Sequence, residues 1–264
     1  MHVVSRNDDL QRIRLCLRSV ADLIDRGDLR KFSVNHATES DPCTVLDREI
    51  DHLLFRDLPR PGEGWLSEET EDTSNRLSAS RVWVVDPIDG TREFVQGIPE
   101  WCVSIALIED HEAVAGGVLN PSTGELYLGS KETGLEIEGA PAARRYGRSQ
   151  ETCSLLVSRR EYGQGKWSAA ERAGLEIVPV GSIAYRLAHV AAGRADATGT
   201  FETRSEWDIA GGAALVLAAG GQVQTLDGSP IRFNRPAPRV SNFFAFGKEC
   251  PPQLRAIHEL GAGT

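Results

Sequence analysis

"RVWVVDPIDGTREF", residues 81–94, sets an apolar, β-branched run directly against two carboxylates, Asp86 and Asp89. The run reads as a buried strand. Pro87 has no amide hydrogen to give a sheet ladder, so the strand is expected to stop there, and Gly90 permits tight backbone geometry beyond it. Both acids would then be released at the strand's C-terminal end, where α/β proteins commonly bind ligands. Two acids held close repel each other, and both stay ionised if a divalent cation sits between them. Carboxylate and carbonyl oxygens suit a hard ion such as Mg²⁺. An isolated DPxD is nevertheless more often a turn, since D-P and D-G are both turn dipeptides.

Working outward, residues 8–26 carry Leu10, Ile13, Leu17, Val20, Leu23 and Ile24 at helical spacing, closed by Gly27. A second helix is expected from Thr44 to Asp57, with Val45, Ile50, Leu53 and Leu54 inward, and "LPRPGEGW" after it reads as a loop. "CVSIALIED" and "EAVAGGVLNP" form a hairpin turned by Asp110 and His111, followed by strands at "GELYLGS" and "GLEIEG". The second half alternates: strand "TCSLLVS", helix "WSAAERAG", strand "LEIVPVG", helix "SIAYRLAHVAAG", strand "ADATGTF", then the small-residue helix "WDIAGGAALVLAAGG" and a strand-rich tail. The expected class is α/β: an α+β domain over residues 1–145 with an antiparallel sheet, and an α/β domain over 146–264, with the soft boundary at "AARRYGRSQ".

The 264 residues suffice for one large domain or two packed ones, and 41% hydrophobic with 25% charged residues is ordinary for a globular chain. A formal charge of -9 argues against a nucleic-acid polymer as partner, but not against a small anion met through a metal ion. Arg6, Asp8, Asp9, Arg12 and Arg14 break any signal-peptide core, and no run of about 18 apolar residues offers a membrane span. The five scattered cysteines support neither a zinc site nor a disulfide framework, so a reducing cytoplasm is the expected compartment.

Further acids change the weight of the DPxD pair. "WLSEET" places Glu68 and Glu69 ahead of the strand, "WDIAGG" places Asp208 at a helix start, and "TVLDREID" places Thr44 and Asp47 near another. Each has a capping or solvent-face reading of its own. Their joint occurrence in this order resembles the inositol-monophosphatase-like superfamily of Mg²⁺-dependent, lithium-sensitive phosphatases, over roughly Ser40 to Asn234. Within it, "DGTREF", "GSIAYRLAHVAAGRADA" and "SPIRFNRP" look most like the 3'(2'),5'-bisphosphate nucleotidases.

The resemblance implies a layered αβαβα sugar-phosphatase fold and a small phosphate-ester substrate, in a monomer or homodimer. It implies two or three Mg²⁺ ions held by Glu68, Asp86, Asp89, Asp208 and the main-chain carbonyl of Ile88. Asp47 and Thr91, paired through the Thr91 hydroxyl, would orient the attacking water and take its proton. Gly90 and Thr91 would open a short helix toward the phosphate, and Gly181 and Ser182 would face the rest of the substrate with Asp89 and Asp208. Arg204 is a candidate for a second phosphate or a base, Glu202 for a sugar hydroxyl and Ser158 for nucleotide or sugar, each set against a solvated surface role. Trp65, Trp83, Trp101 and Trp207 are expected to pack beneath the site. The implied reaction is hydrolysis of 3'-phosphoadenosine 5'-phosphate to AMP and phosphate. An inositol or other sugar-alcohol monophosphatase shares the metal centre, and a phosphate-binding regulator without turnover is the reading from another class.

Overall fold

Six strands between residues 64 and 138 hydrogen-bond in chain order: β1 (Gly64–Ser67), β2 (Arg81–Asp89), β3 (Cys102–Glu109), β4 (Glu112–Asn120), β5 (Glu125–Ser130) and β6 (Gly134–Glu138). The computed structural model from which this topology is read describes residues 5–26, 45–139, 146, 153–249 and 254. Strand β1 pairs parallel to β2, and the others are antiparallel. The loop expected through Trp65 is thus corrected, because Gly64 and Trp65 begin β1. Asp110 and His111 turn the β3–β4 hairpin with positive φ, 49° and 68°.

Strand periodicity sorts the side chains into two cores. From β2, Val82 and Val84 join one cluster while Trp83 and Val85 join the other; from β3, Cys102, Ala106 and Ile108 oppose Val103, Ile105 and Leu107 in the same way. On one face lie α1 (Arg6–Arg26) and α2 (Val45–Asp57), which contribute Ile13, Leu17, Val20, Leu46, Ile50 and Leu54. The short helix α3 (Thr91–Val95) follows β2 directly. Val45 is 42% exposed, contrary to its expected inward position, and Leu46 takes the core place instead. Thr44 and the proposed domain boundary, Tyr146 apart, lie outside the described residues.

The second half builds β7 (Ser154–Val157), α4 (Arg159–Gly163), α5 (Ser168–Arg172), β8 (Glu176–Pro179), α6 (Ile183–Ala191), β9 (Ala197–Thr200), β10 (Arg204–Ser205), α7 (Glu206–Ala218), β11 (Gln222–Thr225), β12 (Arg239–Val240) and β13 (Phe243–Phe246). Five of these strands form a mixed sheet in the order β11-β13-β9-β7-β8. Phe243 and Ala245 face the cluster containing α6 and α7; Phe244 and Phe246 face Trp167 and α5 on the far side. Helices α6 and α7 therefore lie between the two sheets, and the layers run αβαβα as expected.

Small residues let α7 approach the first sheet closely. A Cβ at Gly116 of β4 would stand 2.6 Å from Gly211 O of α7, and one at Gly129 of β5 would stand 2.8 Å from Ala218 Cβ. The helix is almost wholly apolar after its first turn, as a helix buried on all sides must be. Its first turn holds Asp208, which is thereby carried against the sheet.

Candidate active site

The strand does not end at Pro87. Asp86 still faces Ser104 and Asp89 faces Cys102, so three steps along β2 match two along β3. One extra residue is accommodated by a β-bulge, where a residue without an amide hydrogen costs nothing. The bulge has a chemical consequence. In a regular strand, side chains three positions apart point to opposite faces. The added residue restores the parity, so Asp86 and Asp89 both lie on the Cys102 face, toward α6 and α7, while Ile88 packs into the α1/α2 core.

Three further acids join them. Asp47, on α2, is 2% exposed, which rules out a solvated helix-face role. Glu68 follows β1, and Asp208 sits in the first turn of α7, where its Oδ2 accepts the Ser205 amide at 3.2 Å. Burial and repulsion from Glu68, Asp89, Asp208 and Asp47 raise the pKa of Asp86 well above the carboxylate range. Desolvation and Asp89 push Asp208 up to about 7. Desolvation, then Asp208, Glu69, Asp89 and Asp47, push Glu68 up to about 8. Solvent reaches Glu68, so screening relieves it more than the others. Asp86 Oδ1 is buried without a hydrogen-bond partner. Among the described residues no three His, Cys, Asp or Glu side chains already close around one point, but an orphaned carboxylate oxygen among mutually repelling acids is the donor set a hard cation satisfies.

Two helix N-termini supply the opposite sign. Asp89 Oδ2 accepts from Ser182 Oγ and from the Ala184 amide, both at 2.6 Å, at the start of α6. These bonds offset part of the desolvation that raises Asp89. Gly90 takes φ 94°, and a Cβ there would stand 3.0 Å from Glu100 O, so glycine is required on both counts. Thr91 Oγ1 donates to Ile88 O at 3.0 Å. Gly181 lines the site, but its amide is given to Glu100 Oε2 at 2.7 Å and is not turned to a ligand.

A cavity of about 310 Å³ opens beside Asp89, Gly90, Thr91 and Asp208. Its lining is also cationic: Arg92, Arg159, Arg160, Arg186 and Arg204 border it, as do Ser158 and Ser182. Ser158 caps α4 by accepting the Glu161 amide at 3.0 Å. Arg204 is half-buried, with its Nε buried and unpartnered and its Nη2 3.2 Å from Glu202 Oε2. Glu202 also binds Lys166 at 2.8 Å and does not line the cavity. Trp83 and Trp101 are buried, and Trp65 and Trp207 pack half-buried against the cores, as supports.

Arg186 was not among the expected site residues. Only 2% exposed, it donates to neutral acceptors, Ser182 O, Leu156 O, Gly199 O and Thr198 Oγ1. Desolvation and then Arg204 bring its pKa down to about 10. A lone charge inside the wholly buried stretch "IAYRLAHVA" was the signal that could have found it.

This geometry has close relatives. A model of the inositol monophosphatase family matches residues 12–258. The inositol-1-monophosphatase of Mesorhizobium japonicum is 36% identical over 217 residues, 77% of this chain and 79% of that protein. The 3'-phosphoadenosine 5'-phosphate phosphatase of Mycobacterium leprae is 33% identical over 225 residues, 80% of each. Among solved structures, Thermotoga maritima IMPase superposes with a TM-score of 0.75 at 26% identity, covering 94% of each chain. With its acid cluster on a bulged strand facing two helix N-termini, and with matches over nearly its whole length, the chain belongs to the inositol monophosphatase family and is a phosphoric monoester hydrolase.

Proposed function

We propose that the enzyme is Mg²⁺-dependent and that its preferred substrate is a nucleotide bisphosphate, 3'-phosphoadenosine 5'-phosphate, cleaved to AMP and phosphate. The carrying observation is the cavity's cationic lining. Beside the carboxylates the cavity is lined by Arg186, a buried guanidinium whose hydrogen bonds go to neutral acceptors, and by the partly unsatisfied Arg204. Glu161, Asp89 and Glu93 act on Arg186 without hydrogen-bonding to it among the described residues, and a desolvated cation in that state favours an anion that pairs with it directly. A substrate with a second phosphate supplies that anion.

Glu68, Asp86, Asp89, Asp208 and the Ile88 carbonyl would hold the metal, two or three ions in all. Mg²⁺ bound there supplies positive charge opposite the phosphoryl oxygens and acidity for the attacking water. Thr91 Oγ1 spends its proton on Ile88 O, so it presents lone pairs with which to orient that water. Asp47, buried in the same field of acids, receives the proton. The helix α6 N-terminus favours the ionised form of Asp89, against the desolvation that raises its pKa.

The second reading, an inositol-1-phosphate phosphatase, is favoured by the Mesorhizobium japonicum relative. A phosphate-release panel separates the two. With Mg²⁺ present, kcat/KM for 3'-phosphoadenosine 5'-phosphate is expected to exceed that for inositol 1-phosphate at least about tenfold, equivalent to ~1.4 kcal/mol. The same panel should lose rate with added LiCl, as Li⁺ competes for a Mg²⁺ position. The opposite order of substrates transfers the assignment to inositol phosphates.

A further inference from the structure

We propose that Ser182 is a positioning residue for Asp89: its hydroxyl proton is pinned on Asp89 Oδ2, which reserves Oδ1 for the cation among the acids. The inference rests on the metal-dependent reading above and adds a residue that touches neither metal nor substrate.

A serine hydroxyl has one proton to donate and two lone pairs to accept with. At Ser182 all three are engaged. The proton goes to Asp89 Oδ2 at 2.6 Å. One lone pair accepts the Tyr185 amide at 3.0 Å, capping α6. Cys102 Sγ lies 3.3 Å away on the third side and, with the Ser182 proton already given, serves as the donor of a weak S–H bond. The rotor has nowhere else to turn, and Ser182 is only 8% exposed, so it has no valence left for a substrate. Ser182 lines the cavity, as expected of a substrate contact, and the role proposed for its hydroxyl is this one.

The backbone is bent to achieve it. Ser182 takes φ 47° and ψ 125°, a region L-residues seldom occupy and which glycine would fill with less strain. Gly90 leaves the space, since a Cβ at Gly90 would stand 3.2 Å from Ser182 Cβ. A serine standing where the backbone would favour glycine points to the hydroxyl. The hydroxyl and the Ala184 amide converge on one oxygen of Asp89, which fixes the carboxylate's rotation as outer donors fix metal-ligating side chains elsewhere.

The test is ion binding, read by isothermal titration with Mn²⁺ and with Mg²⁺ alone, on the wild type, Ser182→Gly, Ser182→Ala and Asp89→Asn. Ser182→Gly removes the hydroxyl at a position whose φ glycine accepts; Ser182→Ala removes it and keeps the strain. Both are expected to bind the ions about tenfold more weakly than the wild type, and the glycine variant is expected to melt higher than the alanine variant by about 3 °C or more. Affinity of Ser182→Gly within twofold of the wild type overturns the proposal, and loss in the alanine variant alone assigns the effect to the backbone and overturns it too. If the wild type binds and Asp89→Asn does not, the metal reading stands whatever the serine variants do. If the wild type binds neither ion, both fall.

Discussion

Asp208 both caps α7 and adds charge to a cluster of mutually repelling acids, and Asp208→Asn separates the two roles. The asparagine keeps an oxygen to accept the Ser205 amide, so the first turn of α7 stays capped. It removes one negative charge from the acid cluster. The Asp208 pKa stands near 7 against an ordinary 3.8; about three units at 1.36 kcal/mol each give an upper value of about 4 kcal/mol. Asp208 is half-buried and shares its repulsion with Asp89 and Glu68, so about half of that, ~2 kcal/mol, is the expected penalty. A carboxylate whose folded pKa is raised stabilises the fold below its unfolded pKa and loses that contribution as pH rises through the folded value. In chelator-treated protein, the variant should therefore melt roughly 4–8 °C above the wild type near pH 8. The gap should shrink to under half near pH 5, where Asp208 takes up its proton. Saturating Mg²⁺ should raise the melting temperature of the wild type far more than that of the variant. Differential scanning calorimetry at the two pH values, with chelator and with Mg²⁺, reads all four numbers. A variant that melts below the wild type near pH 8 in chelator, or a gap that ignores pH, refutes the account of the acid cluster.

Two other substitutions probe the chemistry and the packing behind it. Asp89→Asn should lower kcat by about 10³-fold or more while leaving the far-ultraviolet circular dichroism unchanged, because it weakens the metal ligand we propose at Asp89, held by α6; near-normal turnover in the purified variant would remove Asp89 from the site. Gly211→Ala should destabilise the fold by about 1–3 kcal/mol in urea, since its added carbon would crowd Ser104 Oγ and stand 3.0 Å from Ile105 O, where α7 meets β3. A change below about 0.5 kcal/mol would show that α7 has room to move.

The elements that carry their own period were legible in the sequence. Helix α1, the β3–β4 hairpin, α6 and α7 follow from 3.6- and 2-residue spacing with glycine or turn residues at their ends. Strand β1 was not, because four residues hold no period and gain their hydrogen bonds only from the parallel β2. Asp47 and Ser182 show the same limit at the site. The sequence placed both near it, but a helix-face aspartate and a Gly-Ser cap look alike whether they face solvent or a carboxylate. Arg186 was hidden by rarity, since a buried guanidinium that hydrogen-bonds only neutral acceptors among the described residues is a state no local pattern announces.

By itself, the sequence determined the layered class, the acids of "SEE", "DPIDGT" and "WD", and hence the phosphatase family, because backbone propensity and ligand chemistry are properties of residues in a row. Only the tertiary structure decided how those acids act together. The bulge at Pro87–Ile88 turns Asp86 and Asp89 to one face by pairing three residues with two. Glycine contacts seat α7 close enough to add Asp208. The strained Ser182 spends its proton on Asp89. Parity, approach and hydrogen-bond partners are relations between strands and helices distant in sequence, and they come into being only when the layers close.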